Sequence, residues 1–469
     1  MTLPLIQALK AYDQRQCLRL HMPGHAGHPV IESLLQQSIP GITPATYIFD
    51  QTEVEGLDVL GNPTECLQES QSMAAGVFGC AHSFYLTQGA TTGLQAAMLC
   101  LFQPGDKVLL PRNVHRAILS GLIISGVEPI WFLPEALGDW GLWGAVQPAT
   151  LETLMTQHPE AKGLILSSPT YEGLSSPVRE ISRVCHRHGL KLIVDEAHGS
   201  LWPFAGFLPT SACLVSADVV IHSLHKTAGS LTQTAIAHIP FGSCLEKKRV
   251  QFQEALNTLH TTSPSYLLLA HIEATVAALG STTKIQEKLQ SLHQTMLRIR
   301  GELSQKTELS VLGGTQPEEI GQDPFKLFLQ HPRINGDDWG VVLEATDGLA
   351  YEACTPYGVL YQAGLGTSEE LLNQMLVRLI AAHKTFNQKP TQQKPHFWEN
   401  SACLPVLAMS PREAFFAPSV SIPKEQALDH IAKHTIVSCP PGIPVLMPGE
   451  RIQPHHLPQM PDTVWVICE

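Results

Sequence analysis

The sequence predicts an α/β protein with a mostly parallel central sheet of the seven-stranded type, covered by helices, and a smaller α+β domain at the C-terminal end. Between about residues 65 and 240, short apolar segments such as DKVLLP, KGLILSS and LKLIVDEA alternate with segments of helical length. Val-, Ile- and Leu-rich runs separated in this way are typical of strands buried on both faces of a parallel sheet. Ligands of such sheets bind at the carboxyl ends of the strands.

Four regions are predicted along the 469 residues: an N-terminal segment (1–60), a large ligand-binding domain (61–305), a small α+β region (306–390) and a C-terminal domain (391–469). The stretch 246–305 predicts helices, with a break at residues 261–265. The polar, Pro-containing segment HKTFNQKPTQQKPH (383–396) is the best linker candidate. Near the end, KEQALDHIAKH predicts a helix and VWVIC a strand.

The composition indicates a chain with a large interior, because 44% of its residues are hydrophobic and only 15% are charged. This balance suits an obligate oligomer. The net charge of −12 argues against nucleic acid and membrane surfaces as partners, since both bind basic faces, and it is compatible with a small cationic substrate. The 11 scattered cysteines form no CxxC pair, and neither a signal peptide nor a membrane span is visible. We therefore expect a cytoplasmic protein.

A candidate phosphate site lies in TQGATTGLQAA (87–97), where a strand ends and a helix begins. Gly89 permits the turn, and Ala90 and Thr91 open the helix, so unpaired backbone N–H groups and a hydroxyl meet at the positive end of the helix dipole. Taken alone, this pattern indicates an ordinary capped helix about equally well.

LIVDEAHG (192–199) places Asp195 at the end of a buried strand, where a carboxylate needs a partner. The protonated ring nitrogen of pyridoxal 5′-phosphate (PLP) is such a partner. The alternatives are an aspartate that caps the next helix or binds a metal. His198 follows three residues later and is predicted to adjoin the same pocket, although it could equally be a core histidine.

The third element is IHSLHKTAGSLTQ (221–233), in which Lys226 follows an apolar strand. A desolvated lysine has a lowered pKa and can form a Schiff base. Ser223 and His225 are close enough to bind phosphate and to position a proton. A lone lysine here would most often be solvent-exposed, but the order of a glycine–threonine turn, a strand ending in Asp and a strand ending in Lys favours a fold type I PLP site.

His115, in LLPRNVHRAILSG, follows another strand end, and its ring could stack on the cofactor. The alternative is a histidine at a helix N-terminus. The 22 histidines do not predict a metal site, because neither HExxH nor paired Cys/His spacing is present.

Together these motifs resemble the Orn/Lys/Arg decarboxylase family of fold type I PLP enzymes, in a compact form without the N-terminal receiver-like domain. The resemblance extends over nearly the whole chain. It includes LRLHMPGHAGHP, TEVEGLDVLGNPTECLQE, SFYLTQGATTGLQAA, SSPTYEG, VDEAHG, HSLHKT, TTSPSYLLLA, PREAFFAP and PPGIPVLMPGERI. It implies decarboxylation of lysine, arginine or ornithine to the amine, a polyamine precursor, with release of CO₂.

The resemblance also implies residue roles. Lys226 corresponds to the Schiff-base lysine, Asp195 to the acid at the ring nitrogen, and His225 to the histidine near the reacting carbon. The implied cofactor-binding residues are Gly89, Ala90, Thr91, His115, Asp195, Ala197, His198, Ser223, Lys226, Thr261 and Ser263. The last two lie in a turn that reaches a neighbouring subunit's phosphate in the family, so a homodimer with interface sites is implied. One departure is Ala26, where the family usually has lysine after H-x-P-G-H; His28 is a possible replacement.

The distal cation of a basic substrate needs an acidic partner, and the candidates are Glu172, Glu352 and Glu450. Surface glutamates are the commoner outcome, so the sequence ranks none of them. Two other functions remain open. One is a different fold type I reaction, transamination or aldol cleavage, and the other is a PLP-binding protein without turnover.

Overall fold

The computed structural model describes residues 2–28, 44–386, 404–438 and 443–468. The α-helices are α1 (Pro4–Gln14), α2 (Pro44–Phe49), α3 (Cys66–Phe78), α4 (Ala90–Leu101), α5 (Arg116–Ser125), α6 (Pro148–Gln157), α7 (Val178–His188), α8 (Leu224–Thr227), α9 (Arg249–Leu259), α10 (Tyr266–Leu279), α11 (Thr282–Lys306), α12 (Gly336–Asp347), α13 (Glu369–Phe386) and α14 (Pro411–Phe416).

The strands are β1 (His82–Leu86), β2 (Lys107–Pro111), β3 (Glu128–Phe132), β4 (Ala136–Leu137), β5 (Leu142–Trp143), β6 (Gly163–Ser167), β7 (Lys191–Asp195), β8 (Val219–Ser223), β9 (Ala235–Ile239), β10 (Ser310–Val311), β11 (Lys326–Gln330), β12 (Ala353–Thr355), β13 (Gly358–Gln362), β14 (Ser419–Pro423), β15 (Ile436–Ser438), β16 (Ile443–Leu446) and β17 (Thr463–Ile467).

The central sheet has seven strands in the order β1-β9-β8-β7-β6-β2-β3. Neighbours from β8 to β3 pair in parallel, and only β9 runs antiparallel to the strands on either side of it. The predicted fold class, a mostly parallel seven-stranded sheet covered by helices, is therefore confirmed.

Helices cover both faces of this sheet, as the continuous apolar strands require. Along β2, Leu109 packs into one core cluster while Val108 and Leu110 pack into the other, as the two-residue period of a strand dictates. At Gly93 in α4, an added Cβ would lie 2.8 Å from both Leu86 and Ile221, so the absence of a side chain lets this helix approach the sheet closely. No helix in the described part of the chain is long and apolar enough to span a bilayer.

The region after α11 forms a four-stranded antiparallel sheet in the order β10-β11-β13-β12. Lys326, the first residue of β11, lies directly opposite Gln362, the last residue of β13. This register brings two polar side chains to the edge of the small sheet that faces the large domain.

The C-terminal region contains two strand pairs, β14 with β17 and β15 with β16. The predicted final strand is confirmed by β17, but the helix predicted for KEQALDHIAKH is wrong. Only a 3-10 turn, Lys424–Gln426, forms there, and Asp429 has φ 66°. The backbone of Ile431 and Ala432 bridges to other segments instead, so tertiary pairing overrides the helical propensity.

The linker predicted at 383–396 begins too early, because α13 continues to Phe386. The rest of that segment lies outside the described residues.

A buried ion pair joins the C-terminal region to the large domain. Arg112, just after β2, donates to both oxygens of Glu450 at 2.5 and 2.8 Å and to the Val445 carbonyl at 3.1 Å. The Glu450 side chain is fully buried and also accepts a hydrogen bond from the Met447 N–H. Neither charge can reach water, so each depends on the other.

Removing one charge of this pair should be costly. Glu450→Gln leaves the Arg112 guanidinium buried without a counter-charge, and we expect the free energy of unfolding to fall by about 3–5 kcal/mol. Urea unfolding followed by circular dichroism measures the change. Glu302→Gln is the matched control, since its two ion pairs on α11, with Arg298 and Lys306, lie at the surface and should contribute little to stability.

The double variant Arg112→Met, Glu450→Met buries no charge and should recover most of the loss. If the double variant unfolds as easily as Glu450→Gln, burial of an unpaired charge is not the cause of the lowered free energy of unfolding.

Candidate active site

A pocket of about 970 Å³, including solvent at its mouth, opens at the carboxyl edge of the central sheet. Ten of the predicted cofactor and catalytic residues line it together with one candidate substrate residue, Glu172: Gly89, Ala90, Thr91, His115, Asp195, Ala197, His198, Ser223, His225 and Lys226. Residues that the sequence did not single out complete the wall: Leu94, Asn113, Val114, Ala117, Trp143, Ser167, Pro169, Thr170 and Tyr171. The edge of the parallel sheet gathers segments that are far apart in the chain.

The phosphate turn lies where β1 leads into α4. Gly89 is the N-cap residue and has φ 81°, which favours glycine, and no side chain caps the helix. The first N–H groups of α4 therefore point at the pocket without an intrahelical acceptor. Thr91 from this helix and Ser223 from the end of β8 bring hydroxyls to the same pocket. This arrangement suits a phosphate group.

Asp195 ends β7 and is almost completely buried. Its Oδ1 accepts one hydrogen bond, from the Ala197 N–H at 3.2 Å, and no described residue donates to Oδ2. Beside it on β6, Ser167 has a buried hydroxyl without a partner. Buried polar atoms are normally satisfied, so these two residues fit a ligand that supplies a cationic N–H donor.

His115 caps α5, with its Nδ1 accepting from the Ala117 N–H at 3.1 Å. Burial lowers the pKa of His115, against the opposing effect of the Asp195 carboxylate. The ring is therefore neutral near pH 7, with its proton on Nε2. A neutral ring suits packing against an aromatic ligand.

Lys226 and His225 lie on the short helix α8 that follows β8. Burial lowers the pKa of Lys226, although the carboxylates of Asp195 and Glu352 oppose the effect. Burial also lowers the pKa of His225, whose Nδ1 donates to the Thr234 carbonyl at 2.9 Å. The Nε2 lone pair of His225 is thus available as a proton acceptor.

His198 links Lys226 to a second lysine, Lys326, that the sequence analysis did not identify. Its Nε2 lies 2.9 Å from the Lys226 Nζ and its Nδ1 lies 3.0 Å from the Lys326 Nζ. The Lys326 side chain is fully buried. In the sequence, Lys326 only opens the apolar run KLFLQ, which looks like any strand that begins at the surface.

The three candidate substrate acids occupy different settings. Glu172 is buried in the pocket wall, where burial raises its pKa, and Thr170 donates to it at 3.1 Å. Glu352 is exposed and does not line the pocket, but it accepts a hydrogen bond at 2.6 Å from the hydroxyl of Tyr171, which does, and so lies beside the pocket rim. Glu450 lies outside the pocket wall, in the ion pair with Arg112.

The turn at residues 261–263 is exposed and does not line the pocket. It lies beside the phosphate turn, because the Thr261 N–H donates to the Gln88 side chain at 3.1 Å. Ser263 closes the turn through a hydrogen bond from its N–H to the Thr261 hydroxyl. The departure at Ala26 lies in the N-terminal segment and has φ 51°.

One group of side chains away from the pocket has the composition of metal ligands. The ligand atoms of Cys80, Cys213 and His238 lie within 4.8 Å of one another in the interior. Burial raises the pKa of the Cys213 thiol well above its usual value. The Cys80 thiol donates weakly to the Phe78 and Cys213 carbonyls at 3.7 and 4.0 Å.

Two family models match this chain. The Orn/Lys/Arg decarboxylase major domain matches residues 3–351, and the Orn/Lys/Arg decarboxylase C-terminal domain matches residues 392–461. An arginine decarboxylase of Bacillus subtilis is 31% identical over 459 residues, which cover 96% of this chain and 91% of that protein. The inducible lysine decarboxylase of Escherichia coli is 24% identical, over 99% of this chain and 77% of that protein.

Solved structures share the fold. The lysine decarboxylase of Francisella novicida has a TM-score of 0.84 at 18% identity, over 99% of this chain and 81% of that one. The ureidoglycine–glyoxylate aminotransferase of Bacillus subtilis has a TM-score of 0.53 at 14% identity, over 70% and 87% of the two chains. The major-domain family model alone, which matches residues 3–351, spans most of the sequence, so the chain belongs to the Orn/Lys/Arg decarboxylase family.

Proposed function

We propose that this protein is a PLP-dependent decarboxylase that releases the α-carboxylate of lysine, arginine or ornithine as CO₂. The observation that carries the proposal is the convergence of Lys226, Asp195 and the phosphate turn in one pocket of a chain of this family. Arginine is the first substrate to test, because the arginine decarboxylase of Bacillus subtilis is more similar to this chain than the lysine decarboxylase of Escherichia coli.

The pocket residues have defined tasks in holding the cofactor. The N-terminus of α4 would bind the phosphate with the hydroxyls of Thr91 and Ser223. Asp195 would accept the ring N–H and keep the ring nitrogen protonated. His115 and Ala197 would pack against the ring. Lys226 would form the covalent link, and burial, which lowers its pKa, raises the fraction of neutral amine that can do so.

When bound, the cofactor delocalises the electron pair that remains on the α-carbon after the bond to the carboxylate breaks. The protein orients that bond and handles the proton. His225 can take up a proton from solvent at Nε2 while its Nδ1–H stays bonded to the Thr234 carbonyl, and it would then donate that proton to the α-carbon in place of the lost CO₂. Lys226 is the second candidate for this step.

A decarboxylase gains nothing from gripping the carboxylate that it removes, because that charge is lost in the transition state. The distal cation of the substrate is therefore the better handle. We assign Glu172 to this cation because its carboxylate lies in the pocket wall and a single described side chain donates to it. Glu352 at the rim is the alternative.

Replacing Lys226 tests the proposed function directly. Lys226→Ala removes the amine that links the cofactor, so reduction with borohydride should no longer attach PLP to the chain. We expect CO₂ release from the best basic amino acid to fall by at least about 100-fold. Mass spectrometry of the reduced protein and a CO₂-release assay measure the two effects.

The matched control is Lys247→Ala, which removes an exposed lysine and should leave both measurements unchanged. Covalent PLP that persists in Lys226→Ala contradicts the assignment. Wild-type protein that carries PLP but forms a keto acid supports the aminotransferase alternative instead, and one that releases no product from any basic amino acid supports a binding protein without turnover.

The assignment of Glu172 predicts a change in substrate binding. Glu172→Gln keeps an oxygen for the Thr170 hydroxyl but loses the charge, so KM for the basic substrate should rise roughly 10- to 100-fold with little change in kcat. With norleucine, which lacks the distal cation, Glu172→Gln should not lower kcat/KM.

Glu352→Gln, assayed in parallel, is the comparison for Glu172→Gln. A larger rise of KM in Glu352→Gln assigns the cation to the rim instead of the wall. Unchanged KM in both variants rejects both acids.

We also propose that the enzyme works in the cytoplasm as a homodimer with sites at the interface. The nine described cysteines are all free, as expected of a reducing compartment. The turn at residues 261–263 is exposed yet adjoins the phosphate turn, which leaves it accessible to a second subunit.

Mixed dimers test whether this turn acts across the interface. Lys226→Ala and the double variant Thr261→Ala, Ser263→Ala should each be impaired alone. In a mixed dimer, one site combines an intact Lys226 with an intact turn from the partner, so activity should return on mixing under conditions of subunit exchange. The absence of recovery, with mixed dimers verified by tag pull-down, places the turn in its own subunit's site.

A further inference from the structure

A row of three side chains runs from Lys226 into the protein interior. The Lys226 Nζ lies 2.9 Å from His198 Nε2, and His198 Nδ1 lies 3.0 Å from the Lys326 Nζ. Lys326 is fully buried, yet no described residue places a carboxylate in ion-pair contact with its Nζ. A buried lysine whose amine contacts neutral acceptors is uncommon.

The orientation of Gln362 identifies the donors in this row. Its Nε2 donates to the Lys226 carbonyl at 2.6 Å, so its Oε1 must face Lys326 and His198. Lys326 donates to this Oε1, which also lies 3.2 Å from His198 Nδ1. An ammonium has donors only, so charged Lys326 also donates to His198 Nδ1.

His198 is neutral in this environment. Burial lowers its pKa well below the usual value, and the two neighbouring lysines act in the same direction. A neutral imidazole carries one N–H. If Nδ1 accepts from Lys326, the proton is on Nε2 and points at Lys226. If Lys326 lost its proton, Nδ1–H could donate to Gln362 instead, and Nε2 would present a lone pair.

We propose that Lys326 is a positioning residue, which holds His198 in the Nε2–H tautomer so that His198 donates a hydrogen bond at the Lys226 nitrogen where the cofactor is linked. This inference rests on the proposed function, because it concerns the nitrogen that forms the imine with PLP. Donation to that nitrogen, together with the positive charge behind it, favours the unprotonated imine.

The packing around Lys326 supports a dedicated position for its side chain. An added Cβ at Gly173 would lie 2.7 Å from the Lys326 Cγ, so the glycine makes room for the lysine stem. The Tyr171 ring lies 5.4 Å from the Nζ. Burial lowers the pKa of Lys326 to about 8. The titratable and charged groups around it are Glu172, Lys226, Arg300, Asp323 and Glu352, besides Tyr171 and His198.

The test is a pH titration of the visible absorbance of the substrate-free, PLP-loaded enzyme. Lys326→Met fills the same space without charge or donor, and it should raise the pKa of the imine by about one unit. Borohydride trapping at Lys226 should stay complete, and kcat should fall more than KM rises. Lys326→Arg, which keeps the charge and a donor, should raise the pKa of the imine by less than Lys326→Met does.

A double-mutant cycle separates this role from a general charge effect. In a His198→Phe background, Lys326→Met should produce a clearly smaller shift than in the wild type. An equal shift in both backgrounds overturns the role of His198, and no shift in either overturns the role of Lys326. If Lys326→Met does not fold, Lys326→Arg takes its place in the cycle. The change that it makes in the imine pKa should be smaller in the His198→Phe background than in the wild-type background, and the same two outcomes overturn the two roles.

Lys433→Met is the matched control. Lys433 also donates to partly buried acceptors, the carbonyls of Ala414 and Ala417, but in the C-terminal region. It should lower stability without moving the imine titration. Wild-type protein that traps no PLP at Lys226 contradicts the proposed function and this inference together, whereas normal trapping with an unshifted titration contradicts the inference alone.

Discussion

The pocket depends on the parallel pairing of β6, β7 and β8. Because these strands run in the same direction, the residues that end them meet at one edge, and the register places Ser167 directly beside Asp195. The chain then turns into α8, which carries Lys226 to the same edge. Reversal of any of these strands would send its terminal residue to the opposite side of the sheet. The direction of the strands therefore determines which side chains meet in this site.

Burial controls the charge state of the groups gathered there. It is the largest cause of the lowered pKa of His115, His198 and His225, and of the raised pKa of Glu172. Desolvation disfavours the charged form of each group. Near neutral pH the three histidines are therefore neutral, and each has one donor and one acceptor nitrogen. The backbone bonds of His115 and His225 show which nitrogen is which.

His115 and His225 are in different tautomers, and this suits them to different roles. His115 accepts at Nδ1 from a backbone N–H and so carries its proton on Nε2. His225 donates from Nδ1 to a backbone carbonyl and so presents a lone pair on Nε2. One ring is suited to a packing role and the other to proton transfer. His198 differs from both, because its Nδ1 contacts the side chain of Lys326 and of Gln362 but no backbone atom.

The sequence was sufficient to predict the fold class and the residues that follow the strands of the large domain. Those residues lie in short motifs, and the edge of a parallel sheet brings such motifs together whatever the rest of the chain does. Lys326 and Gln362 were not predictable, because they enter the site through the register of a second, antiparallel sheet. The helix predicted at KEQALDHIAKH failed for a similar reason, since Ile431 and Ala432 pair with segments distant in sequence.

Two of the candidate substrate acids, Glu172 and Glu450, show why burial alone does not identify a ligand-binding acid. Glu172 is almost completely buried and Glu450 is completely buried. Glu450 receives two hydrogen bonds from Arg112 and one from the Met447 N–H, so its charge is matched and its oxygens are occupied. Glu172 receives one from a threonine hydroxyl, and burial raises its pKa. A carboxylate in that state gains most from a cation that arrives from outside, whereas Glu450 would have to give up Arg112 first.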